Sequence, residues 1–327
     1  MKKGLFSLPS VLIVSLVFIT GLDSAPRKRR ADIEPRARTT KELVEPAARD
    51  SKTPLVSPSI GRLLYVPAGR FQHDKSPTNI IVITRPYYIG QYEITRKQFQ
   101  SVMGTDPSKT DKSSGVSDPV QMVSWYHAIA FCNKLSAIEG LTAVYNVSGV
   151  SNWANISFSD VPLKEDQNWT KATCNWNANG YRLPTEMESM WAAMGAPADG
   201  QDAKTDTKSY SKEFAGSTGS NQLNDYAWHW DNSAKKTHPV GNLKPNELSL
   251  YDMSGNVFEL CWDYFDNIPA GTKTDYKGKP FGSDRLVRGG GWVSDSSFCA
   301  IAERGDRYSP YDRTFGIGFR VVRNEPK

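Results

Sequence analysis

The stretch RLVRGGGWVSDSSFCAIAERGDRYSPYDRTFGIGFRVV, Arg285 to Val322, decides the reading of this chain. It opens and closes on glycine-punctuated apolar anchors, RLVRGGGW and GIGFRVV. Short β-type runs bounded by glycine read as strands, so strands are expected at 285–288 and 319–323. Between the anchors lie Ser, Asp, Tyr, Phe and Gly with no apolar period. A core segment would show such a period, and a linker would lack the aromatics. The mixture has the character of a surface built for contact.

The rest of the chain can support such a surface. Of its 327 residues, 39% are apolar and 11% aromatic, with nine Trp, enough for a sizeable core. The formal charge is +5, and much of it comes from Arg27, Lys28, Arg29, Arg30, Arg36 and Arg38. Elsewhere the charge is near balance and no basic stripe is interleaved with aromatics, so nucleic acid is not expected as a partner.

The N-terminus reads as an export signal over residues 1–25. Lys2 and Lys3 precede a short apolar run, Val11 to Leu22, too short for a membrane span. Ile19-Thr20-Gly21 resembles the start of a bacterial lipobox, but Leu22 stands where the lipidated Cys would be. A lipid anchor and an unusual secretory signal both stay open, and such an anchor is the sole membrane contact expected. Residues 26–60 are rich in Pro, Arg, Glu and Thr without apolar period and read as a flexible spacer. Residues 61–327 then form the folded domain, exported to the cell surface.

Within that domain the capping chemistry is explicit. Thr95 is expected to cap a helix over 96–103, Ser124 one over 125–138, and Thr185-Glu186-Met187-Glu188 opens a helix through Met194. β-type runs occupy 63–71 and 80–95. The stretches 139–180 and 200–250 lack a period and read as long loops. The composite is a loop-rich α+β domain. Cys132, Cys174, Cys261 and Cys299 match no zinc spacing and read as buried free thiols, although export would permit disulfides.

Five phrases, YYIGQYEITRKQF, PVQMVSWYHAIAFCNKLS, GYRLPTEMESMWAAMG, THPVGNLKPNELSLYDMSGNVFELCWD and RLVRGGGWV…GIGFRVV, resemble the formylglycine-generating-enzyme (sulfatase-modifying factor) family in order. The resemblance implies a C-type-lectin-type fold. It also implies a copper oxidase that uses two cysteines, at positions held here by Ser294 and Cys299. One thiol cannot make a two-thiolate copper(I) site, so no catalytic residue is expected. The four His residues are scattered, unlike the clustered iron ligands of a related branch. The resemblance further implies structural calcium on the turn Gly255-Asn256-Val257-Phe258-Glu259, with Asn256 and Glu259 as the oxygen donors. The alternative is a turn capped by Asn256 with Glu259 paired to an arginine. No cofactor is required on either reading.

The segment from Val293 to Phe315 also resembles the variable region of proteins diversified by retroelements. In those systems template adenines are copied to random bases, and Asn codons become codons for many residues but not Glu, Gln, Lys, Met or Trp. Only Glu303 between Val293 and Phe315 lies outside that set. Trp292, Cys299, Ala302, Arg304, Pro310 and Arg313 read as scaffold. Val293, Ser294, Asp295, Ser297, Phe298, Gly305, Asp306, Tyr308, Ser309, Tyr311, Asp312, Thr314 and Phe315 read as the variable, ligand-contacting positions. Rigid aromatics with adaptable Ser, Gly and Asp make the mixture used by antibody paratopes. The expectation is a surface-displayed protein that binds a macromolecule, protein or glycan. The alternatives are an oxidase of the formylglycine-generating type or an inert member of that family.

Overall fold

Thr95, Ser124 and Thr185 each start a helix by the same reciprocal device. Each hydroxyl accepts the N–H three residues on, and the side chain there, Gln98, His127 or Glu188, returns a bond to the cap N–H. The helices so fixed are the three expected from sequence. The computed structural model describes residues 52–197, 205–268 and 270–326. The export signal and most of the spacer lie outside the described residues, which fall in one unit spanning Pro46–Lys327.

In chain order the strands are β1 (Leu55–Ser57), β2 (Gly61–Val66), β3 (Gly69–Gln72), β4 (Ile80–Ile83) and β5 (Tyr87–Gly90), followed by helices α1 (Arg96–Met103) and α2 (Trp125–Ile138). Then come β6 (Tyr145–Asn146), α3 (Gln167–Thr170), β7 (Thr173–Cys174), β8 (Tyr181–Arg182) and α4 (Glu186–Ala193). The last part holds β9 (Phe258–Tyr264), β10 (Lys273–Thr274), β11 (Arg285–Arg288), β12 (Arg307–Tyr308), β13 (Ile317–Gly318) and β14 (Val322–Asn324).

A five-stranded sheet runs β1-β2-β5-β14-β8, and a four-stranded sheet runs β12-β11-β9-β13. β14 pairs antiparallel with β5 through Val322–Ile89, joining the chain's end to its beginning. α2 is buried on almost every side, which suits a helix apolar all round rather than one with a single stripe. Phe99 of α1, Phe131 of α2 and Phe319 pack together, with ring centroids 5.3–6.3 Å apart. No helix among the described residues is long and apolar enough to cross a membrane.

Two boundaries differ from expectation. β1 pairs with β2, so the folded part begins before residue 61. The strand expected at 319–323 starts later, as β14 at Val322–Asn324; the link Phe319–Val321 carries no strand and joins it to β13 in the other sheet.

Cys132, Cys261 and Cys299 are buried free thiols as expected, and Cys174 is free but half-buried.

Candidate functional site

The segment between β11 and β13 adds β12 to the edge of the four-stranded sheet and packs against its Val287 and Phe258. The Phe298 ring packs on Phe258 edge-to-face, centroids 5.9 Å apart. The turn that launches the segment needs glycine: Gly290 has φ +75°, and a Cβ there would sit 2.9 Å from the Phe298 backbone.

What holds the segment is mostly its backbone. Trp292 Nε1 donates to the Phe315 carbonyl at 3.0 Å. Backbone N–H groups of Trp230, Tyr126 and Met122 donate to the carbonyls of Ser294, Pro310 and Thr314 at 2.9–3.2 Å. Ser254 Oγ donates to the Cys299 carbonyl at 2.8 Å, and the Gly305 N–H reaches Val287 at 3.1 Å. Arg288 reaches the carbonyls of Ile301 and Glu303. Its other nitrogen shares Glu186 with Arg304, whose Nε lies 2.7 Å from Oε1. The scaffold therefore grips atoms that every residue type supplies.

The side chains follow from that arrangement. Asp295, Ser297, Asp306, Asp312 and Phe315 are exposed; Val293, Ser294, Phe298, Tyr308, Ser309, Tyr311 and Thr314 are half-buried. Phe315 keeps 42% of its surface open although its ring lies 5.5 Å from that of Trp292. Val293, Phe298, Tyr308 and Tyr311 lean on the core with one side, and burial pushes the Tyr308 phenol up.

Gly305 departs from the expected pattern. It is buried, and a Cβ would stand 2.6 Å from Val287 and 2.9 Å from the Phe258 ring, so it is scaffold. Ser294 is partly so, because its hydroxyl closes a turn with both the N–H and the carbonyl of Gly291. Among the expected scaffold residues Trp292, Cys299 and Pro310 are buried, but Ala302 is exposed. The sequence reading missed Trp230. It is 47% exposed and its backbone N–H holds the Ser294 carbonyl, so an indole from outside the segment borders the patch.

Oxidase chemistry finds no support at these positions. Cys299 is 1% exposed, and burial pushes its thiol up to about 12, which disfavours the thiolate a nucleophile would need. At the turn expected to hold calcium, the structure has the alternative arrangement, Glu259 paired to an arginine. Both Glu259 oxygens bond to the buried Arg320 guanidinium at 2.6–2.9 Å. Asn256 Oδ1 accepts the His238 N–H at 3.1 Å, while its amide donates to Glu93. A guanidinium satisfies the carboxylate, so this pair does not fit a divalent cation. Among the described residues no group of three His, Cys, Asp or Glu is arranged to hold a metal ion.

Known proteins place this geometry. The chain is 34% identical to Treponema denticola variable protein 1, with a TM-score of 0.71 over 85% of this chain and all of that one. It is also 34% identical to the chaperone protein LppX of Paenibacillus barcinonensis, over 80% of this chain and 89% of the relative. Identity to the formylglycine-generating enzyme of Streptomyces coelicolor is 25% over 73% of this chain and 78% of the enzyme. The fold is the α+β, C-type-lectin type these proteins share. A family model described as a sulfatase-modifying factor enzyme 1-like domain matches residues 46–325, and the chain belongs to that family.

Proposed function

We propose that the chain is an exported binding protein, displayed at the cell surface, whose Val293–Phe315 patch recognises a macromolecular ligand. One observation carries this reading: residues outside the segment, with Trp292, hold it largely by its backbone, leaving most of its side chains half or fully open. Such a segment can exchange side chains without refolding its support. Asp with Phe and Tyr, bordered by Trp230, offers hydrogen bonds and rigid apolar area together. Likeness to a protein named as variable and to one named as a chaperone supports binding over catalysis.

Diversification by a retroelement accounts for the residue types in the patch. Sequencing the locus tests it: a reverse-transcriptase gene with an Asn-rich near-copy of the 293–315 coding segment is expected, and their absence would count against diversification. Binding itself is tested on protein and glycan arrays with the wild type, a Tyr308→Ala, Tyr311→Ala variant and a Phe315→Ala variant. Hits lost at least tenfold by these changes, with folding intact, support the patch. Hits that none of the changes weakens would place recognition elsewhere.

A further inference from the structure

A second concavity, sharing no residue with the patch, lies where the β4–β5 turn, the start of α4 and the chain after β10 meet. It encloses about 350 Å³, within the range of small-molecule sites. Its acceptors are already engaged. Both Glu188 oxygens pair with Arg182 at 2.6–2.7 Å. Asp275 accepts from the Thr84 N–H and hydroxyl at 2.8 and 2.5 Å. Asn324 Oδ1 accepts from Arg182 at 3.1 Å.

Its donors are not. Lys277 lies 4.6 Å from the centroid of the Trp176 ring and, among the described residues, within 4.0 Å of no carboxylate. A cation held over an indole is positioned without being neutralised. Among the described residues Arg85 makes one hydrogen bond, from Nη1 to Asn177 Oδ1 at 2.9 Å, and the Asn177 side-chain Nδ2 makes none. Both cations are exposed, while Trp176 and Tyr276 line the cleft half-buried. The lining thus combines spent acceptors, spare cationic donors and flat aromatic walls.

We propose that this cleft binds a small anionic ring compound: one carboxylate or phosphate on a ring the size of a hexose. The anion meets Lys277 and Arg85, and the ring lies along Tyr276, while Trp176, with Lys277 and Arg182 over it, positions the cations. Charge-assisted donors of this kind distinguish anion from neutral analogue.

Isothermal titration of the folded protein with glucuronate, glucose 6-phosphate and glucose tests the proposal and separates carboxylate from phosphate. One of the two anions is expected to saturate below about 10 mM, while glucose gives at least tenfold weaker binding. Lys277→Met and Arg85→Gln, both at exposed positions, are each expected to weaken binding several-fold or more with melting unchanged. Phe315→Ala should leave it untouched. Absence of binding by both anions, glucose binding equally well, or affinity unmoved by both variants would overturn it.

Discussion

The indole of Trp292 is buried and bonds the carbonyl of Phe315, whereas the Phe315 side chain is 42% exposed above it. One residue supplies the grip and the other the contact surface. The two substitutions should therefore separate cleanly. Trp292→Phe orphans a carbonyl and loses packing, costing about 2–3 kcal/mol. Phe315→Ser should cost no more than about 0.5 kcal/mol. Urea unfolding measures both; equal costs would mean that Phe315 also carries the fold.

Gly305 marks the limit of tolerance inside the segment. A side chain there would meet Val287 and Phe258 at 2.6–2.9 Å. Gly305→Ser is expected to destabilise by about 1–3 kcal/mol through overpacking, although serine is abundant at neighbouring positions. A neutral result would return Gly305 to the variable set.

The sheet beneath the segment stores a pH dependence. Asp263 is buried; its Oδ2 accepts the Glu186 N–H at 2.7 Å and Oδ1 has no partner. Burial, with the Glu186 charge beside it, pushes its carboxyl up to about 8. The folded state then holds a proton that the unfolded chain, with a pKa near 3.9, releases. This group's contribution is full below about pH 4 and is lost as pH rises to about 8. Asp263→Asn cannot ionise. Melting curves from pH 5 to 8.5 should show the variant gaining on the wild type with rising pH, then levelling off. His127 acts with the opposite sign: burial lowers it to about 3, so its contribution fades as pH falls below about 6.5. It is common to both proteins, so a difference that stays constant with pH would reject the assignment to Asp263.

The helices were legible because capping is local: Thr95 with Gln98, Ser124 with His127 and Thr185 with Glu188 lie within one turn. Sheet membership was less so, since the step from β13 to β14 depends on partners far along the chain. Arg285, Arg288 and Arg320 look like surface residues in the sequence but are buried. Arg285 lies 3.6 Å from the Trp125 ring and 3.5 Å from that of Tyr264, and Glu186 and Glu259 meet the other two. Long-range pairing of that kind leaves no local pattern. Glu259 was offered as a cation ligand by the family resemblance, with an arginine pair as the alternative, and the pair is what forms. The patch was legible from composition because exposed positions share a chemistry. Gly305, read as a contact position, is buried, and Ala302, read as scaffold, is exposed, because residue type does not report burial. Trp230 was missed because it enters from a distant loop.

The central claim is that the scaffold grips this segment independently of its exposed side chains. Its most direct test replaces Asp295, Ser297, Asp306, Asp312 and Phe315 together with alanine and records thermal unfolding. Each is exposed and should contribute no more than about 0.5 kcal/mol, partly cancelling between sites. The account predicts a melting temperature within about 4 °C of the wild type and a single cooperative transition. A fall of about 10 °C or more, or loss of cooperativity, would contradict it.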